Sequence, residues 1–151
     1  MTTNSVNTTA GRSGRTTNAD TRGTLFWVDP SEVGSPTLCR ALESVGWEVR
    51  RFSLPFAALA TLAARQDPHD TVILNVNLDG LLGIRFADEL RSVGFPGKFI
   101  VLSADANPVV TLAFLERRAD RILPQPVLAS TLREAIEQLL EPDWVAYPEA
   151  R

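Results

Sequence analysis

A chain of 151 residues with 44% apolar and 22% charged side chains has the size and composition of one well-buried globular domain. Its single cysteine, Cys39, excludes an internal disulfide and a cysteine metal cage, which points to a cytoplasmic setting, and no apolar run is long enough for a helical membrane span. A net charge of −3 argues against nonspecific binding of nucleic acid, and the only lysine is Lys98.

Residues 1–23 are rich in Thr and Ser, carry Arg12, Arg15 and Arg22, and hold almost nothing apolar beyond Val6. Such a segment buries too little surface to offset its ordering entropy and is expected to be a disordered tail. Residues 24–141 alternate short apolar runs with helical stretches. Leu25 to Val28 is fully apolar, as a strand buried on both faces requires. Ser35-Pro36 caps a first helix that Gly46 stops near Val45. Trp47 to Phe52 is a second strand, with Arg50 and Arg51 marking an edge, and Ser53 with Pro55 opens a helix to Gln66. Thr71 to Leu74 and Gly83 to Val93 form the third pair, Phe99 to Leu102 and Asn107 to Arg118 the fourth. Arg121 to Leu123 is a fifth strand, Ser130 caps a last helix through Leu140, and residues 142–151 form a C-terminal extension too short for an output domain. Five such units in sequence predict a three-layer α/β/α sandwich around a five-stranded parallel sheet with right-handed crossovers.

In such a sheet the functional crevice lies at the carboxyl ends of the strands. Asp29 and Pro30, Asn75, Ser103 and Gln125 follow the first, third, fourth and fifth strands. The runs ending in Asp29, Val72 to Leu78 with Gly83, Ser44 to Val49, Val101 to Ala104, and Leu123-Pro124-Gln125-Pro126 resemble, in that set, the receiver domain of two-component response regulators. The resemblance implies the flavodoxin-like (βα)5 fold and a cis peptide before Pro126. It also implies a phosphorylation pocket: two acids after the first strand, an acceptor Asp after the third, a hydroxyl after the fourth and a Lys after the fifth. The acids and acceptor hold Mg²⁺, and metal and Lys together balance phosphoryl charge.

Asp29 and Ser103 match that pattern, but Pro30 stands for the second acid, Asn75 for the acceptor and Gln125 for the Lys. Pro30 offers no side-chain ligand and an amide cannot form the acyl phosphate. Lys98 precedes the fourth strand and so lies at the opposite edge of the sheet. Asp79 and Asp105 are the candidate relocated acceptors, more simply solvated loop acids. Asp29 then stays charged among Asn75, Ser103 and Gln125, which can hydrogen-bond around it. The expectation is a degenerate pocket with no metal, no cofactor and no catalysis. His69 is expected in a loop at the far end of the sheet, and Cys39 as a packed side chain of the first helix.

The reading that follows is a stand-alone pseudoreceiver, cytoplasmic, signalling by phosphorylation-independent protein–protein interaction. Its partner would be a sensor kinase, a phosphotransfer protein, another receiver or a transcription regulator, with no direct nucleic-acid or membrane contact. The alternatives are a phosphorylation-dependent regulator using a relocated acceptor and a sensor of a small ligand. The resemblance places the working face on the fourth helix and fifth strand, at Thr111, Leu115 and Ile122, where a homodimer could also form. Val109 to Leu115 is apolar except for Thr111, more than one buried face needs. Val110, Leu112 and Ala113 could serve the core, leaving Leu115 and Ile122 as an exposed patch.

Overall fold

Each central strand presents apolar side chains to both of its faces, and that property builds the molecule. The computed structural model describes residues 23–29, 35–76, 80–104 and 107–140. The expected N-terminal tail (apart from Gly23) and the C-terminal extension lie outside the described residues, as do Pro30, Asp79 and Asp105. The strands are β1 (Gly23–Val28), β2 (Trp47–Phe52), β3 (Thr71–Val76), β4 (Lys98–Ser103) and β5 (Arg121–Pro124). The helices between and after them are α1 (Ser35–Ser44), α2 (Pro55–Arg65), α3 (Gly80–Ser92), α4 (Pro108–Glu116) and α5 (Ala129–Leu140). All strand pairs are parallel and the order across the sheet is β2-β1-β3-β4-β5.

Alternation along β1 sends Phe26 and Val28 to one face and Leu25 and Trp27 to the other. On the first face they meet Ala58, Leu59 and Leu62 of α2, Phe86, Ala87 and Leu90 of α3, and Phe114 of α4. On the second face they meet Cys39 and Leu42 of α1 and Leu132 and Ile136 of α5. This is the expected three-layer sandwich. Gly83 lets α3 sit close, because a Cβ there would come within 2.9 Å of both Phe114 and Val76.

Several ends differ from the expectation. The second helix begins at Pro55 with Leu54 as its cap, and no side chain bonds its first turn, so Ser53 does not cap it. Pro55 needs no N–H partner, which lowers the demand for a polar cap. Ser130 lies inside the first turn of α5 rather than before it, since the helix starts at Ala129. Helix α4 stops at Glu116, and Arg118 takes a left-handed φ of 63°. Arg91 of α3 closes that turn by donating to the carbonyls of Arg117 at 2.9 Å and Arg118 at 2.8 Å, satisfying acceptors that the helix end leaves open. Asn107 does cap α4 as expected, its side chain accepting from the Val109 N–H at 2.9 Å.

Parallel pairing puts every carboxyl end on one edge of the sheet. The strand order reverses direction between β1 and β3, the switch point at which open α/β sheets form their crevice.

Candidate functional site

Asp29 follows β1 directly and is fixed there by its own N–H, which donates to the Phe52 carbonyl at 2.9 Å. Asn75 sits near the end of β3, in register with Leu102, and Ser103 ends β4 opposite Val76. Gln125 follows β5, and its N–H donates to the Ser103 carbonyl at 2.9 Å. The bond from Gln125 to Pro126 is cis, as the resemblance implies. Four of the five sequence-predicted pocket residues therefore converge, while Pro30 lies outside the described residues. Asp29, Asn75 and Ser103 are buried, at 3%, 6% and 6% exposure.

The bonding among them is a directed chain. Asn75 Nδ2 donates to Asp29 Oδ2 at 3.0 Å, and Gln125 Nε2 donates to Asn75 Oδ1 and to the Leu102 carbonyl, the latter at 3.2 Å. A carboxylate only accepts, so Asp29 obliges Asn75 to present its NH₂. The Asn75 oxygen then faces away and requires a donor, which the Gln125 amide supplies. Gln125 thus reaches Asn75 rather than Asp29, a sequential arrangement where the sequence pointed only to amides gathered around the acid. A hydrogen bond to a charged group contributes about 1.5–3 kcal/mol, and leaving the buried carboxylate without one would cost more.

The donor set suits a hard cation poorly. Mg²⁺ takes oxygen ligands in octahedral geometry, but the Asn75 oxygen is turned to Gln125 and it is the NH₂ that faces Asp29 Oδ2. Among the described residues no three His, Cys, Asp or Glu side chains converge. Lys98 opens β4 at the opposite edge, where its N–H donates to the Asp70 carbonyl at 3.1 Å.

The other candidates fall as follows. Thr111 is half-buried on α4, and Leu115 is exposed at 51%. Ile122 is half-buried and packs against the core, so it contributes less to an exposed patch than its place beside α4 suggested. Leu112 is exposed at 56% rather than turned inward, and Val109 at 72%; Phe114 of α4 is fully buried, and Val110 packs against the same core, as expected. His69 is exposed in the turn before β3, its ring against Asp67 Oδ1 at 3.3 Å. Cys39 is buried, and burial pushes its thiol up to about 11. Sequence reasoning treated Arg51 only as an edge marker. The structure puts it in register with Trp27, beside a cleft that also touches Asp29. The period-two alternation of β2 carried that signal, since Trp47, Val49 and Arg51 share a face.

No helix of the described residues is long and apolar enough to cross a membrane. The model of the response regulator receiver domain family matches residues 26–137. The sensory/regulatory protein RpfC of Xanthomonas campestris pv. campestris (strain 8004) is 28% identical over 119 residues, covering 76% of this chain and 16% of that protein. The chain thus spans well under a fifth of that relative's length. Chemotaxis protein CheY4 of Vibrio cholerae superposes with a TM-score of 0.67 at 22% identity, covering 78% of this chain and 98% of that one. A CheY-like receiver domain protein of Methanospirillum hungatei JF-1 gives 0.67 at 19% identity, covering 77% and 91%. These two likenesses establish the shared fold. With the family match running from Phe26 into α5, the chain belongs to the response regulator receiver domain family.

Proposed function

We propose that this receiver domain works as a pseudoreceiver, a protein-interaction module of a two-component pathway that does not use phosphorylation. The observation that carries the reading is the chain from Gln125 through Asn75 to Asp29. Where phosphoryl transfer needs an acceptor carboxylate, a metal and a cation, this pocket offers a carboxylate held by one amide that is held by another. Transfer leaves charge on the phosphoryl oxygens that only preorganised positive groups can offset. An amide pair supplies partial dipoles and no net charge. On this reading the domain is not an enzyme, and it needs no cofactor.

The working surface in this reading is the outer face of α4. Val109, Leu112 and Leu115 recur at three-residue steps, which puts them along one flank of the helix, and all are more than half exposed. Contiguous exposed apolar surface of that kind marks an interaction site. Its partner is a sensor kinase, a phosphotransfer protein, another receiver, a transcription regulator or a second copy of this chain. The similarity to part of a sensory/regulatory protein supports a signalling partner. The domain acts in the cytoplasm, with residues 1–23 and 142–151 as extensions of a 24–141 core.

The test is incubation with acetyl phosphate and Mg²⁺, read by intact mass, in parallel with beryllofluoride, read by amide chemical shifts. Neither should change the protein. A phosphoryl adduct refutes the reading, and mapping it to Asp79 or Asp105 would establish the relocated-acceptor alternative.

A further inference from the structure

Strand β2 forms one edge of the sheet. Among the described residues it pairs with β1 alone, in a register unbroken from Trp47 to Phe52. The Asp29 N–H donates to the Phe52 carbonyl, so Phe52 turns its backbone toward β1. Successive residues of a strand turn opposite ways, and Trp47, Val49 and Arg51 therefore direct N–H and C=O to the open side. An edge with neither a proline nor a bulge is a template for a further strand. Its side chains divide by face. Trp47 and Val49 lie against the α1 layer and Phe52 against the α2 layer. Arg50 shares the α2 face, its guanidinium 5.3 Å from the Phe26 ring and 5.9 Å from the Phe52 ring. Glu48 is exposed on that same face and accepts from Thr24 Oγ1 at 3.2 Å. Among the described residues no ion pair engages Glu48, Arg50 or Arg51.

Charge selects what can lie against this edge. Two copies of β2 related by a two-fold axis normal to the sheet pair antiparallel, and the residue on the axis defines the register. Glu48 on the axis sets two carboxylates face to face and Arg50 sets two guanidiniums, both destabilising. Trp47 or Arg51 on the axis lets only the strand ends overlap. With Val49 on the axis the overlap runs from Trp47 to Arg51. Glu48 of each copy then faces Arg50 of the other, and Trp47, Val49 and Arg51 exchange their backbone bonds across the join. Helix α2 lies over β1 and β2 on one face of this edge. A surface helix ordinarily turns charged side chains to water, but α2 exposes Phe56, Ala57, Ala60, Ala63 and Ala64, with Phe56 at 75%. An axis normal to the sheet keeps both copies of α2 on the same face, where small side chains let two helices approach closely.

We propose that β2 is a self-association edge, at which two copies of this chain join antiparallel about Val49 into one continuous sheet. Reciprocal Glu48–Arg50 ion pairs cross the join, and the two α2 helices lie side by side. The inference concerns the edge of the sheet opposite β5, and it rests neither on the pocket nor on the α4 surface.

Sedimentation equilibrium of the whole chain from about 1 μM to about 1 mM should show monomer and dimer in exchange. Glu48→Arg and Arg50→Glu should each weaken the dimer by about tenfold or more, because each sets like charges against one another on both sides of the axis. Mixed in equal amounts, the two variants should associate with each other about as tightly as the parent does with itself, since every charge then meets its opposite. Circular dichroism checks that each variant folds. The parent supplies a readout that needs no variant: the amides of Trp47, Val49 and Arg51 should exchange with deuterium more slowly as concentration rises. A monomer throughout the range overturns the proposal. So does a dimer that both variants leave intact, a mixture of folded variants that fails to associate, or exchange at those amides that ignores concentration. A dimer dispersed by Leu115→Arg and not by the edge variants places the contact on α4 and likewise overturns it.

Discussion

Asn75→Asp restores the residue type a receiver uses as acceptor, and the geometry makes it a destabilising change. The substitution replaces Nδ2 with an oxygen at a position 3.0 Å from Asp29 Oδ2. Two unit charges at that separation repel by about 5 kcal/mol at an effective dielectric of about 20. Protonating one ordinary aspartate at about pH 7 costs about 4 kcal/mol, which is the cheaper outcome, so the buried pair takes up one proton and the loss is capped near that value. Against a total stability of about 5–15 kcal/mol this is a large fraction. The sign of the pH dependence follows. The folded variant holds a proton that its unfolded chain releases above the ordinary aspartate range, so its stability falls as pH rises. The deficit relative to the parent should shrink by about 1.4 kcal/mol for each pH unit from about 7 down to about 4.

Urea denaturation of parent and variant between those pH values measures this directly. Asn75→Ala is the control: it removes the same hydrogen bond and adds no charge, so its deficit should be smaller at about pH 7 and should depend on pH less steeply. A variant as stable as the parent at neutral pH, or a deficit independent of pH, refutes the directed chain from Gln125 through Asn75 to Asp29. The variant should also stay unlabelled by acetyl phosphate, because Gln125 still supplies no charge and Pro30 no ligand. The triple change with Pro30→Asp and Gln125→Lys has the better prospect of labelling.

Millimolar Mg²⁺ should leave the parent's melting temperature unchanged, and a rise of several degrees would show that Asp29 and Asn75 do form a cation site. Leu115→Arg should abolish partner binding or self-association, by pull-down or sedimentation, while changing stability by no more than about 0.5 kcal/mol, because the side chain is 51% exposed. Unfolding of that variant would instead place Leu115 in the core. Cys39 should resist alkylation in the native protein at neutral pH, since burial holds its thiol near 11 against an ordinary 9.0. The folded state then keeps a proton that the unfolded chain loses, so stability should decline between those two values as pH rises. Cys39→Ala should remove that alkaline slope, and an unchanged slope would assign it elsewhere.

The fold was legible because it rests on patterns that tolerate error. Leu25 to Val28 had to be a strand buried on both faces, and Phe26 and Trp27 do enter opposite core layers. A boundary shifted by a residue or two left the topology unaltered. What failed was local: Ser53 and Ser130 have the right chemistry for helix caps, yet the helices start where Pro55 and the turn around Leu128 begin them. Capping preference is worth about 1 kcal/mol, and packing of Leu59 or Leu132 against the sheet outweighs it. The outward turn of Leu112 follows the same logic. Once Phe114 is wholly buried, α4 has one orientation, and Leu112 and Leu115 are carried away from the sheet.

The site was legible in membership and illegible in order. Sequence could gather Asp29, Asn75, Ser103 and Gln125 at one edge, because strand ends in a parallel sheet share that edge. It could not say that Gln125 reaches Asn75 and not Asp29, because the path of the backbone after β5 sets that choice. That order decides how such a pocket can evolve. With Asn75 turned to satisfy Asp29, a carboxylate at position 75 meets repulsion unless a cation is present, and a lysine at position 125 would offer its charge to an amide oxygen. Each reversion taken alone therefore breaks a satisfied contact without completing a phosphorylation site. On the proposed reading, positions 75 and 125 changed together compensate each other in part, and a complete phosphorylation site needs position 30 changed as well. The arrangement sits in a local minimum of hydrogen bonding, stable against single steps in either direction. Measured couplings should show this: a double-mutant cycle between Asn75→Asp and Gln125→Lys should give a favourable interaction of about 1 kcal/mol or more, and simple additivity would show that the two positions do not act through one another.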